Sequence, residues 1–77
     1  MNKTNRKDLN AAIDALQRAK EIIESVKESE SEKFENLSEG LQATEKGQQL
    51  EENASALDDV MYSLDDAIDN LDNLINC

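Results

Sequence analysis

Residues 50–77 read LEENASA LDDVMYS LDDAIDN LDNLINC, four consecutive blocks of seven that each open with leucine. We label the positions of each block a to g from that leucine. Positions b and c are acidic or asparagine in every block, whereas positions d and e are mostly apolar. Position d holds Asn53, Val60, Ala67 and Leu74, and position e holds Ala54, Met61, Ile68 and Ile75. A seven-residue repeat kept over four blocks predicts a helix that packs along another helix, as in coiled coils and bundles.

The first half of the chain carries a looser version of the same repeat. Its a positions are Leu9, Leu16 and Ile23, its d positions are Ala12, Ala19 and Val26, and Ile13 and Ile22 widen the stripe. Asp8 or Thr4 is expected to begin this helix, because short polar side chains cap helix N-termini. The pattern predicts a second amphipathic helix, packed on the first.

The two repeats are out of phase by one residue, and the slip falls between Leu37 and Leu50. The only two glycines, Gly40 and Gly47, lie in this stretch, which indicates a turn. The sequence therefore predicts one all-α domain, an antiparallel two-helix hairpin. Its expected parts are helix one at about 6–35, a connection at about 36–43 and helix two at about 44–76.

The composition of the 77 residues argues against most kinds of active site. There is no histidine, the one cysteine is Cys77, and two glycines are too few for a phosphate-binding loop. Acidic residues number 18 against 8 basic ones, for a net charge of −10, which disfavours direct binding to nucleic acid. We therefore predict a non-enzymatic protein with no catalytic residues, no cofactor and no dedicated metal site.

The apolar runs are too short for a signal peptide or a transmembrane helix, so no membrane association is expected. The lone Cys77 fits a reducing cytoplasm, and we predict a cytoplasmic protein. A secreted dimer linked through Cys77 is the alternative that the sequence leaves open.

The apolar stripe of the second helix is wider than a two-helix hairpin requires. Apart from Asn53, positions a, d and e carry apolar residues, a width typical of a helix that contacts two neighbours in a four-helix bundle. We therefore predict a homodimer of hairpins. Alternatively, the same surface is kept for a different protein.

A line of aspartates marks the second helix. Because these residues fall at positions b, c and f, we expect all of them to face away from the apolar stripe; they are Asp58, Asp59, Asp65, Asp66, Asp69 and Asp72. Aspartate is a poorer helix former than glutamate, so its use here suggests a role beyond solvation. One hypothesis is that the carboxylates imitate a nucleic-acid backbone and bind a partner with a basic surface, with Tyr62 as an anchor. The alternatives are a solvated outer face, or an electrostatic surface for another kind of partner.

The connection contains apolar residues in an otherwise turn-like segment: Phe34, Leu37 and Leu41. The structural interpretation is that they close the end of the helix pair. The functional alternative is a structural or adaptor module that binds a partner through the apolar stripe and this connection. Asn53, at a d position, could fix the alignment of the helices.

The connection also carries a family resemblance. FENLSEGLQ, residues 34–42, with Gly47 and the following Leu-acid-acid heptads, resembles small acidic proteins encoded by bacteriophages and prophages, whose connection reads F-x-N-L-P-E-G-L-Q. The present chain has Ser38 where those proteins have proline, which makes the turn less rigid. The resemblance implies a phage-type protein of the bacterial host cytoplasm, without enzymatic activity. Together with the aspartates it suggests an inhibitor of a host defence protein that acts on nucleic acid.

Overall fold

The computed structural model describes all residues from Met1 to Cys77 and is entirely helical. Its elements are α1 (Lys3–Glu35), α2 (Glu39–Gln42) and α3 (Glu45–Ile75). The long helices α1 and α3 run antiparallel along each other and form a rod whose Cα atoms extend over 58 × 15 × 13 Å. This confirms the predicted all-α helical hairpin. None of the helices combines the length and the apolar character that a membrane span requires.

Helix α1 begins at its asparagine cap rather than near residue 6. The side chain of Asn2 accepts a hydrogen bond of 2.7 Å from the backbone N–H of Asn5, which satisfies a donor that the helix itself leaves unpaired. The expectation that Thr4 or Asp8 caps the helix is therefore wrong, since both lie inside α1. Asparagine is as good a cap as aspartate or serine, so the earlier position extends the helix.

The connection contains the short helix α2, which the sequence pattern did not predict. The side chain of Gln42, the last residue of α2, donates hydrogen bonds to the backbone oxygens of Phe34, at 3.2 Å, and Leu37, at 3.1 Å. Carbonyls near the C-terminus of a helix have no partner within the helix, and Gln42 supplies one. Gln42 thereby ties the connection to the end of α1.

Gly47 is the only buried residue of the chain. It lies in the first turns of α3, where the backbone of Gln42 crosses directly over it. A Cβ atom built on Gly47 would lie 2.7 Å from both the Cα and the carbonyl carbon of Gln42, closer than real Cβ contacts come. Only glycine therefore lets α2 return so closely onto α3.

The contact between the long helices is centred on rows a and e of α3. The leucines of row a and the apolar residues of row e are half-buried there, whereas Val60 and Leu74 of row d are exposed. The expectation that a, d and e form one buried stripe is thus wrong for these two residues of row d. Apart from Gly47 every residue retains substantial exposure, so the isolated hairpin has no fully buried hydrophobic core.

Candidate protein-binding surfaces

One flank of the hairpin carries two ion pairs between the helices. Lys20 Nζ lies 2.7 Å from Asp65 Oδ1, and Lys27 Nζ lies 2.6 Å from Asp58 Oδ1. Both aspartates are at position b, which lies at the edge of the helix contact, and both are half-buried. The expectation that all six aspartates face away from the apolar stripe is therefore wrong for Asp58 and Asp65. Sequence reasoning missed their partners because it did not align the two helices.

These contacts change the acidity of the two lysines. The hydrogen bond to Asp65 raises the pKa of Lys20 above its ordinary value, and partial burial opposes this while the charges of Asp65 and Glu24 add to it. The hydrogen bond to Asp58 likewise raises the pKa of Lys27, against partial burial and with help from the charge of Asp58. The lysines therefore hold their protons more firmly in the fold than when free.

The remaining aspartates form a surface that we call the outer acidic face. Asp59, Asp66, Asp69 and Asp72 are exposed, and none is within ion-pair distance of a cation. Tyr62 lies among them with 68% of its surface exposed. The offsets from Asp59 through Tyr62 and Asp66 to Asp69 are three, four and three residues, which align side chains on one side of a helix. For these five residues the predicted outward orientation is what the structure has.

Three of the four carboxylates on the outer acidic face are evenly spaced. Asp66, Asp69 and Asp72 follow one another at intervals of three residues, which corresponds to about 4.5 Å along the helix axis. The phosphates of one DNA strand advance by about 3.4 Å each along the duplex axis. Asp59 precedes Asp66 by seven residues, about 10.5 Å along the axis, so the carboxylates of this face are more widely spaced than the phosphates of a nucleic-acid strand.

A second surface was missed by the sequence reasoning. Rows d and g carry no charge from Ala12 to Ser29 in α1 or from Ala56 to Leu74 in α3. Both rows lie on the flank opposite the ion pairs, because the lysines are at position e and the paired aspartates at position b. We call it the uncharged side face; its larger side chains are Ile22, Val26, Val60 and Leu74, all exposed. The absence of charge at position g was the signal that could have revealed it.

The apolar residues of the connection do not behave alike. Phe34 and Leu37 are half-buried at the end of the helix pair, whereas Leu41 is 54% exposed. The expectation that all three close the end of the helix pair therefore does not hold for Leu41. Asn53 accepts a hydrogen bond of 2.9 Å from the Gln49 side chain of its own helix, so its polar contact does not cross the hairpin.

The hairpin has no enclosed cavity. The one concavity is a shallow, open depression along α3, lined by Gln48, Glu51, Glu52 and Ser55, with no apolar side chain. The structure contains no cluster of three or more acidic or cysteine side chains arranged to hold a metal ion. What the molecule presents to its surroundings is therefore a set of extended helix faces.

No protein-family model, curated protein or solved structure matches this chain. Its own surfaces are thus the basis for inferring what it binds.

Proposed function

We propose that this chain is a non-enzymatic protein-binding hairpin whose outer acidic face occupies a basic groove of a protein that handles nucleic acid. The observation that carries the proposal is the run of carboxylates on Asp59, Asp66, Asp69 and Asp72, which face solvent without a cation nearby. With the phage resemblance of residues 34–42, the proposal extends to inhibition of a host defence protein in the bacterial cytoplasm. The mechanism is competition: the acidic helix takes the place of the nucleic-acid strand.

The distribution of charge supports this role. Helix α1 carries 7 basic and 8 acidic residues, whereas α3 carries 1 basic and 9 acidic residues. The two lysines of α1 that reach across the hairpin, Lys20 and Lys27, form ion pairs with Asp65 and Asp58 at the flank. The outer acidic face therefore keeps its full negative potential, which accelerates encounter with a basic partner at low ionic strength.

A displacement assay tests the proposal. A fluorescently labelled DNA duplex is bound to each of a panel of purified nucleases and DNA-binding proteins, and the hairpin is titrated in at several salt concentrations. We expect displacement from at least one member, weakening steeply with salt. Three exposed charge contacts at about 0.2–1 kcal/mol each predict that Asp59→Asn, Asp66→Asn and Asp69→Asn together weaken displacement roughly 3- to 160-fold.

The matched control changes charge equally on the outer side of the other helix. Asp14→Asn, Glu21→Gln and Glu28→Gln alter three exposed acids of α1, all at position f. This variant is expected to displace DNA almost as well as the unchanged chain. Equal weakening by both variants would show that only net charge matters, and the absence of displacement across the whole panel would refute the proposal.

A second candidate function is an adaptor module, and the exposure of Leu41 favours it. In this case the connection inserts its leucine into an apolar groove of a partner, and the aspartates only keep the hairpin in solution. Binding would then be insensitive to salt and lost in Leu41→Ala. We prefer this substitution to Leu37→Ala, because Leu37 is half-buried and its loss would also disturb the fold.

We also propose that the hairpin forms a homodimeric four-helix bundle. The lack of any fully buried hydrophobic side chain supports this, since domains of this length that lack a core commonly gain stability from association.

A further inference from the structure

We infer that the uncharged side face is the contact between two copies of this chain, and that the two-fold axis of the dimer runs parallel to the helices. This inference rests on the proposed dimer but not on the proposed basic partner. The sequence predicted a dimer contact through positions a, d and e. We instead place the contact on rows d and g, and this choice comes with a defined orientation of the two hairpins.

The first reason is the distribution of charge around the rod. About a third of the chain is charged (34%), yet rows d and g hold no charge over the central part of both helices. A second copy brings the same net charge of −10. Contact through the outer acidic face would set carboxylates against carboxylates. Contact through the uncharged side face leaves those carboxylates in water and removes apolar surface from it.

The second reason is that the two largest side chains of this face, Ile22 and Leu74, lie level with small ones. The ion pairs Lys20–Asp65 and Lys27–Asp58 fix which residues lie at the same height along the rod. At this alignment Leu74 of α3 is level with Ala12 of α1, within one residue, and Ser63 is level with Ile22. When α1 of one copy lies on α3 of the other, Ile22 and Leu74 therefore meet small side chains and Val26 meets Val60, so the helices can approach closely.

The third reason is the exposure of the large residues. Ile22 is 61% exposed and Leu74 is 53% exposed, and Val26 and Val60 are also exposed, at a common height four residues beyond Ile22. The uncharged rows are about 27 Å long, and two neighbouring helices are roughly 20 Å wide, so the footprint is about 500 Å² per copy. This is close to the size of the smaller specific protein interfaces, at about 600 Å² per partner.

The charges of the two helices select the orientation. When the two-fold axis runs along the rod, α1 of each copy lies on α3 of the other, and the two α3 helices are diagonal. When the axis runs across the rod, α3 lies directly on the partner's α3. The first arrangement places a helix with 7 basic and 8 acidic residues beside one with 1 basic and 9 acidic residues. The second brings two acidic helices together and is disfavoured.

The mass in solution is the first measurement, by light scattering across a dilution series under reducing conditions. We expect twice the 8.6 kDa of the chain at high concentration, with dissociation on dilution. The thermal midpoint is expected to rise with concentration for the same reason. A folded monomer at all concentrations would overturn the inference and leave this face for a different protein.

Two adjacent substitutions then test the face. Leu74→Asp places a carboxylate in the contact, whereas Asn73→Asp places the same carboxylate on the neighbouring exposed position outside it. We expect the first to raise the dissociation constant at least tenfold and the second to change it by less than threefold. Equal effects would overturn the assignment of the face. If Leu74→Asp fails to fold, the dilution series of the unchanged chain still decides whether a dimer exists.

The single exposed thiol at Cys77 allows the axis to be tested, because a spin label there gives one distance per dimer. An axis along the helices places both labels at the same end, about 20 Å apart. An axis across the helices places them at opposite ends, roughly 40 Å apart. The longer distance would overturn the orientation inferred here. Loss of DNA displacement with an intact dimer would refute only the proposed function.

Discussion

Gly47 offers the sharpest test of how the connection is built. Replacing it with alanine adds one methyl group where the backbone of Gln42 crosses α3, and the new Cβ would lie 2.7 Å from two Gln42 backbone atoms. These atoms belong to the main chain and cannot rotate away, so the connection must shift. Overpacking of this kind costs about 1–3 kcal/mol.

The substitution also has a favourable component. Alanine is about 1 kcal/mol better than glycine inside a helix, so the net loss in the free energy of unfolding is about 0–2 kcal/mol. Gly40→Ala provides the matched control, because Gly40 is also helical, has no positive φ and would place its Cβ in open space. This control is expected to be neutral or stabilising by up to about 1 kcal/mol.

The difference between the two alanine variants therefore measures the steric cost at Gly47, expected at about 1–3 kcal/mol. For a chain of this length, thermal unfolding followed by circular dichroism should place Gly47→Ala about 4–24 °C below Gly40→Ala. Both melts are run at one protein concentration, so that dimerisation contributes equally. Equal midpoints, or a higher midpoint for Gly47→Ala, would refute the close crossing of Gln42 over α3.

The other predictions concern the hydrogen bonds and the ion pairs. Gln42→Ala removes the hydrogen bonds to Phe34 in α1 and to Leu37 in the connection, and should lower the free energy of unfolding by about 1–3 kcal/mol in urea titrations, with Gln48→Ala as an exposed control. Asn2→Ala should cost about 1 kcal/mol and speed hydrogen exchange at Asn5. Because folding raises the pKa of Lys20 and Lys27, their pairs stabilise fully below about pH 10.5, and this contribution is lost as the pH rises through the folded-state pKa. Thermal midpoints should therefore fall above pH 10.5, and fall less when both lysines are replaced by methionine.

The heptads of residues 50–77 were sufficient to predict α3 and the hairpin, because a long seven-residue repeat has few alternatives. The detail of the connection was beyond prediction. Gln42 acts through its side-chain amide on carbonyls that come close only after the chain has turned. Gly47 acts by the absence of a side chain, and a glycine near a turn does not reveal what approaches it.

The candidate surfaces were also predictable only in part. Outward orientation along one helix follows from its periodicity, and it was right for Asp59, Asp66 and Tyr62. Asp58 and Asp65 each directly follow a leucine of the repeat. Their environment, however, depends on which residues of α1 lie beside them. The alignment of α1 with α3, which brings Lys20 and Lys27 to these aspartates, cannot be derived from the repeat of either helix alone.

The ion pairs have a consequence for how the hairpin finds its register. Every b position of α3 is acidic, from Glu51 through Asp58 and Asp65 to Asp72. If α3 slid by one heptad, each lysine of α1 would meet another carboxylate and the leucines would again meet the apolar rows. The ion pairs and the leucines therefore do not distinguish the native alignment of the two helices from one shifted by seven residues. The connection, held by Gln42 and Gly47, selects one alignment by its length. Insertions or deletions in it are therefore expected to give hairpins whose helices pair in a shifted register.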